Sequence, residues 1–225
     1  MAGEAACRLV LVRHGETDWN AAHRIQGQLD VPLNARGRAQ AAAVAARLAR
    51  ELGGTGASVV LSSDLSRAAD TARAIAAALG VEMETSPALR EQHLGELQGL
   101  EKREAESSAP ASWRALRGGD APGGGGESDE DVYKRVVRCL SEIASANPGR
   151  TVVAVSHSGA LQQVHTHARG TRARESVRNT AVSVLEIRAR GERGGEEWRV
   201  LAWNSDEHIR GTAHLEGGAA FNEAR

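Results

Sequence analysis

Arg13-His14-Gly15-Glu16 places a guanidinium, an imidazole and a flexible backbone position side by side. A neutral imidazole is a nucleophile at nitrogen, and its reference pKa of about 6.5 makes that form available at pH 7. Arginine carries five donors in a fixed fork, and glycine allows a tight turn and close approach of a ligand. Ser62-Ser63-Asp64-Leu65-Ser66-Arg67 brings a second guanidinium. Leu89-Arg90-Glu91 brings a carboxyl, just ahead of the Gly-rich turn His93-Leu94-Gly95-Glu96-Leu97-Gln98-Gly99. Ser156-His157 brings a second imidazole. Two histidines, two arginines and one carboxyl suit phosphoryl transfer without a metal. The arginines hold the non-bridging oxygens and offset developing charge. One histidine attacks in line while the other donates a hydrogen bond, and the carboxyl protonates the leaving oxygen.

Elements must bring these groups together. Arg8-Leu9-Val10-Leu11-Val12 is a short apolar run, as expected for a strand buried on both faces, and it stops at Arg13. Val44, Leu48 and Leu52, spaced by four, predict an amphipathic helix over 37–52. A second strand is expected at 58–61 and a helix at 66–79 with Gly80 as its stop; 81–85 reads as a short third strand. Ser128 with Asp131 three residues on is a capping box for a helix carrying Val132, Val136, Leu140 and Ile143. Asn147-Pro148-Gly149 ends it, and 151–155 is the clearest buried strand, running into His157. A further helix and strands near 181–188 and 197–203 follow; the tail after about 211 reads as irregular. The stretch 107–127, with Pro110, Gly118-Gly119, Pro122 and glycines 123–126, has loop or insertion composition. The alternation predicts a three-layer α/β/α sandwich around a mostly parallel sheet. Ligands of such sheets bind beyond the carboxyl ends of the strands, where His14 and His157 are expected.

The chain of 225 residues reads as one domain over 1–225 with a cap-like insertion around 100–127. A net charge of −1 argues against a nucleic-acid coat protein, and 3% aromatics are too few for a stacking platform. Only Lys102 and Lys134 are lysines among 28 basic residues, a bias that fits either genome composition or phosphate contacts. Cys7 and Cys139 read as reduced thiols, no apolar run reaches membrane length, and the start lacks a signal peptide. The expectation is a cytoplasmic protein, monomer or homodimer, with neither nucleic-acid nor membrane partners.

At these residues the sequence resembles the histidine phosphatase superfamily, also called phosphoglycerate mutase-like. The resemblance covers nearly the whole chain. It rests on 11–20, LVRHGETDWN; on Arg24-Ile25-Gln26-Gly27 with Leu33-Asn34 and Gly37; and on 62–68 with Thr71-Ala72. It continues through Leu89-Arg90-Glu91 with 95–99, Gly125-Gly126-Glu127-Ser128 and 153–157. The wording is most similar to small plant members described as phosphoglycerate mutase-like. The resemblance implies that His14 becomes the phosphohistidine and that Arg13, Arg67 and His157 line the phosphate pocket. It implies Glu91 as proton donor and then as base for the attacking water, with Asn20, Gln26 and Gly27 helping to hold phosphate or substrate. Many relatives carry Gly directly after the second histidine; here Ser158 stands there, followed by Gly159, which is read as a specificity change.

Other features read more plainly. Glu96 competes with Glu91 as the acid, and block matching favours Glu91. His165 and His167, two apart on an expected helix, would not share a face, so no metal site is expected. The four-glycine run lacks GK[ST] and follows no strand, so it is a flexible loop and not a phosphate loop. His93 can line the pocket mouth; Trp113 reads as core, with a substrate wall as the alternative. No cofactor is implied. In true mutases of the family a long basic insertion separates the acid from the second histidine; here the segment is short. That favours hydrolysis of a small phosphate ester such as a phosphosugar, phosphoglycerate or phosphoserine. The alternatives are a mutase using the same phosphohistidine and a non-catalytic binder of phosphometabolites.

Overall fold

The computed structural model describes residues 5–53, 56–189 and 195–210. The expected irregular tail and His214 lie outside these residues. The chain runs β1 (Cys7–Arg13), α1 (Asp18–Ala21), α2 (Ala35–Leu52), β2 (Ala57–Ser62), α3 (Ser66–Leu79) and β3 (Met83–Thr85). It continues through α4 (Lys102–Ser108), α5 (Pro110–Gly118), α6 (Asp129–Ala146), β4 (Thr151–Ser156) and α7 (Ser158–Arg169). It then forms β5 (Val182–Ala189), β6 (Glu196–Ser205) and α8 (Glu207–Arg210). The six strands form one sheet in the order β3-β2-β4-β1-β5-β6. β3, β2, β4 and β1 are parallel, while β5 runs antiparallel to β1 and to β6.

Strand periodicity divides β1 between two cores. Leu9 and Leu11 pack with Val136, Leu140, Leu161 and Val164 of α6 and α7. Val10 and Val12 pack with Val44, Leu48, Ala72 and Ile75 of α2 and α3. Because both faces are covered, the strand is apolar without alternation, and the three-layer sandwich follows. β1 and β4 lie side by side with Arg13 opposite Ser156, so His14 and His157 leave neighbouring strand ends. Ser128 and Asp131 form the expected capping box on α6. No helix among the described residues is long and apolar enough to cross a membrane.

The stretch 107–127 departs from its loop composition. Pro110 sits at the first position of α5, where its missing N–H costs nothing, and Gly119 ends that helix in the left-handed region. α4 precedes it, and Trp113 and Leu116 pack with Ile25, Leu97 and Ala105 in a third small core. Trp113 is therefore a core residue. The glycine run is a tight turn seated on residues 95–96, where Glu96 N donates to Gly123 O at 3.0 Å. A Cβ on Gly95, at φ +52°, would meet Gly123 O at 1.8 Å, so only glycine permits this closeness. Composition suggested a flexible loop because glycine serves close packing as well as freedom.

Candidate active site

The structure brings His14, His157, Arg13, Arg67 and Glu91 to one place at the strand ends. The His14 and His157 rings lie 5.0 Å apart between centroids. His14 Nδ1 is 2.6 Å from Gly15 O. A carbonyl only accepts, so Nδ1 carries the proton and the lone pair falls on Nε2. Gly15 N donates to Thr71 Oγ1 at 3.1 Å, which ties the turn to α3. Arg13 Nη1 donates to Val177 O at 2.7 Å. Arg67, 1% exposed, donates from Nη1 to Leu29 O and from Nη2 to Gly27 O, at 2.8 and 2.7 Å. Gly27 thus enters through its carbonyl, as the seat of Arg67.

Glu91 rests on the start of α7. Its Oε2 accepts Gly159 N and its Oε1 accepts Ala160 N, both at 3.1 Å, and Gln92 N donates to Oε1 at 3.0 Å. The carboxyl oxygens thereby satisfy amides that the first turn of a helix leaves without partners. Ser158 is the first residue of α7, half-buried, directly after His157. Asn20 and Gln26 stand one layer back. Asn20 caps α1 with Thr17, and Thr17 Oγ1 donates to Gln26 Oε1 at 2.9 Å. Asn179 Nδ2 donates to His14 O at 3.0 Å and to Asn20 Oδ1 at 3.4 Å, linking Asn20 to the backbone of His14. Glu96 is exposed and accepts from Ser112 Oγ, away from this group. His93 pins its own loop, accepting Gly95 N at 3.2 Å. His165 stacks edge-on against Trp203, while His167 meets Trp198 and Tyr133, so the two rings part as expected.

Sequence reasoning missed Asn179 and the use of Gly159. Asn179 lies in a segment with no periodic pattern, and its only signal is an Asn-Thr pair ahead of β5. Gly159 was noticed only as a shifted glycine. A Cβ there would sit 2.5 Å from Glu91 Oε1, so the bare α-carbon is what admits the carboxylate. An open cavity of about 570 Å³ lies elsewhere, between His165, Trp203, Arg172, Arg174 and Arg178. Arg172 there pairs with Asp129, and Arg178 with Glu175 and Asp206.

Burial governs the electrostatics. His14 is held well below its ordinary value by burial first, then by Arg13 and Arg67. His157 is lowered likewise, by burial and then by Arg67, His14 and Arg13. Both rings are neutral at pH 7. Burial lowers Arg13 to about 10, opposed by Glu91, and lowers Arg67. Both guanidiniums remain charged at pH 7. Around these two guanidiniums stand the carboxyls of Glu91, Glu16 and Asp30. Arg13 Nε, Arg67 Nε and both His157 ring nitrogens are buried with no partner among the described residues. Buried donors without acceptors are expensive unless a ligand completes them, and a phosphate group supplies several acceptors.

Acid sensitivity follows. Both histidines have folded values below the unfolded one of about 6.5. Below that pH the unfolded chain binds more protons, so stability falls as pH falls. Each histidine contributes a slope of up to about 1.4 kcal/mol per pH unit in this window and none above it. His208, lowered to about 4 by burial and Arg47, acts in the same direction. Denaturant unfolding from pH 7 to 5 should show a steeper loss for the native chain than for His157→Gln. Identical slopes would contradict the buried neutral state.

These parallel strands, with two histidines and two arginines at their ends, define a phosphate-handling α/β enzyme fold. The model of the histidine phosphatase superfamily (branch 1) matches residues 9–206, and the chain belongs to that family. It is 40% identical to phosphoglycerate mutase-like protein 4 of Arabidopsis thaliana, over 93% of this chain and 90% of that protein. It is 36% identical to the metal-independent phosphoserine phosphatase of the same plant, over 93% and 86%. Among solved structures, a mycobacterial glucosyl-3-phosphoglycerate phosphatase complexed with VO3 superposes with a TM-score of 0.77 and 33% identity, covering 88% of this chain and 99% of that one.

Proposed function

We propose that this chain is a metal-independent phosphomonoesterase that cleaves small phosphate esters through a phosphohistidine at His14. The observation that carries the reading is the buried cluster in which His14 Nε2 bears a lone pair beside unpartnered arginine and histidine nitrogens. His14 Nε2 attacks phosphorus in line. The N–P bond forms as the ester P–O bond breaks, and Glu91 gives its proton to the leaving oxygen. Arg13, Arg67 and His157 hold the non-bridging oxygens. Glu91 Oε2 accepts one amide and Oε1 two, so Oε2 has room for the proton. Water then attacks the phosphohistidine, loses a proton to Glu91 and releases inorganic phosphate. Asn20, Gln26 and Gly27 support the site through Asn179, Thr17 and Arg67, and Ser158 faces substrate choice.

The substrate class is a small metabolite with a second anionic group. Phosphoserine and glucosyl-3-phosphoglycerate, named for two of the relatives, each carry a carboxylate beside the ester. We read 1–225 as one catalytic domain with 100–127 as its cap, acting in the cytoplasm as monomer or homodimer. Cys7 and Cys139 are free thiols, as a reducing compartment requires. The test is phosphate release from phosphoserine, 3-phosphoglycerate, glucosyl-3-phosphoglycerate and phosphosugars, with chelator present. Release from at least one supports the reading. Interconversion of 2- and 3-phosphoglycerate without release would make it a mutase, and no turnover would make it a binder.

Gly159→Ala checks the seat of Glu91. The new Cβ pushes the carboxylate off its amides, and a displacement near 1 Å costs about 10²-fold in turnover. Alanine also favours the helix by up to about 1 kcal/mol, so the melting temperature should not fall. Unchanged turnover would remove Glu91 from the mechanism as drawn.

A further inference from the structure

No helix or strand covers residues 90–94, so the main chain around Glu91 must find its hydrogen-bond partners among side chains. Ser156 Oγ donates to Leu89 O at 2.7 Å. Arg135 of α6 supplies most of the rest. Its Nη1 donates to Ala88 O and Arg90 O, at 3.0 and 2.7 Å, and its Nη2 donates to Glu91 O at 2.8 Å. The remaining two N–H groups go to Glu127, Nε to Oε1 at 2.8 Å and Nη2 to Oε2 at 2.9 Å. All five donors of the guanidinium are used, three of them on the peptides carrying and preceding Glu91. Glu127 completes the clamp from the other side. Its Oε2 accepts His93 N at 2.8 Å, and its main-chain carbonyl accepts Gln92 Nε2 at 2.7 Å. The pair is largely covered, with side-chain exposures of 20% and 23%.

We propose that Arg135, oriented by Glu127, is the positioning residue that sets Glu91 for proton transfer to the leaving group. This rests on the reading of Glu91 as the proton donor. Arg135 reaches Glu91 through the backbone of residues 88–91 and through Glu127, and its charge, which a lysine keeps, also acts on His157. Lysine keeps the charge but cannot span three carbonyls and a carboxylate at once. Loss of the fork leaves the Glu91 carbonyl to Gln28 Nε2 alone, at 3.1 Å, and the loosened peptide lets the carboxyl shift from the leaving oxygen while His14, Arg13 and Arg67 keep their own anchors.

The leaving group supplies a readout that a merely structural role would not move. An alkyl phosphate such as phosphoserine needs a proton on its leaving oxygen, whereas p-nitrophenolate leaves with little help. Single-turnover phosphorylation of the enzyme is measured with phosphoserine and with p-nitrophenyl phosphate, for the native chain, Arg135→Lys, Glu127→Gln and Glu91→Gln. Arg135→Lys is expected to slow the alkyl ester about 10²-fold and the aryl ester less than about 3-fold. Glu127→Gln shows the same selectivity to a lesser degree, and it decides the matter if Arg135→Lys fails to fold. Equal losses on both esters, or none, in Arg135→Lys and Glu127→Gln alongside a selective Glu91→Gln would overturn the positioning role. A non-selective Glu91→Gln would instead remove the proton-donor reading itself.

Discussion

His14→Ala should reduce phosphate release by about four orders of magnitude or more, while the protein stays folded. The size follows from the proposed route. Removing a nucleophile removes the covalent intermediate, and what remains is whatever Arg13, Arg67 and His157 do for direct attack by water. The structure explains why folding survives. The ring makes one hydrogen bond, to the adjacent Gly15 carbonyl. Losing one neutral hydrogen bond costs about 0.5–1.5 kcal/mol. The turn itself is held by His14 N to Ser156 O at 3.0 Å and by Gly15 N to Thr71, neither of which needs the imidazole. Steady-state turnover and a melting curve together make the check. A tenfold loss only, in a folded variant, would mean that another group attacks phosphorus.

Arg67→Met should lower kcat/KM by about 10²–10³-fold, the loss expected for one preorganised donor to a transferring group, without unfolding the chain. Two opposed stability effects decide the second part. The substitution strands the carbonyls of Leu29 and Gly27, each costing about 1–3 kcal/mol if left unpaired. It also removes a cation that burial disfavours and that stands near Arg13, a relief of several kcal/mol. The terms are of similar size, so the melting temperature should move by only a few degrees. Strong destabilisation with little change in specific activity would mean that Arg67 serves the fold and not the phosphate.

The parts of the fold that were legible in the sequence are those where one physical signal dominates. Residues 9–12 and 152–155 are apolar without break because both sheet faces are covered. Their ends carry histidines, so both imidazoles could be placed at the carboxyl edge of the sheet, while the adjacency of the two strands needed the structure. The insertion was not legible. Its Pro110 is a helix start and its glycines permit contact with Gly95, but composition reports both as breakers. Within the site, the side chains that carry charge were found and the groups that hold them were not. Gly159, Asn179 and the pair Glu127–Arg135 act through backbone amides and carbonyls, and such partners are set by the folded path of residues 88–93 and 176–180. Beside Ser158, the residue that stood out as unusual, the bare α-carbon of Gly159 is what admits the Glu91 carboxyl.

The central claim is a covalent bond between phosphorus and His14 Nε2. Labelled substrate mixed briefly with the protein and quenched in alkali preserves phosphohistidine, which acid then releases. The account predicts one labelled peptide containing His14, formed fast enough to lie on the path of turnover, discharged on chase with unlabelled substrate, and absent from His14→Ala. Turnover with no labelled protein, or with label on any other residue, would contradict it.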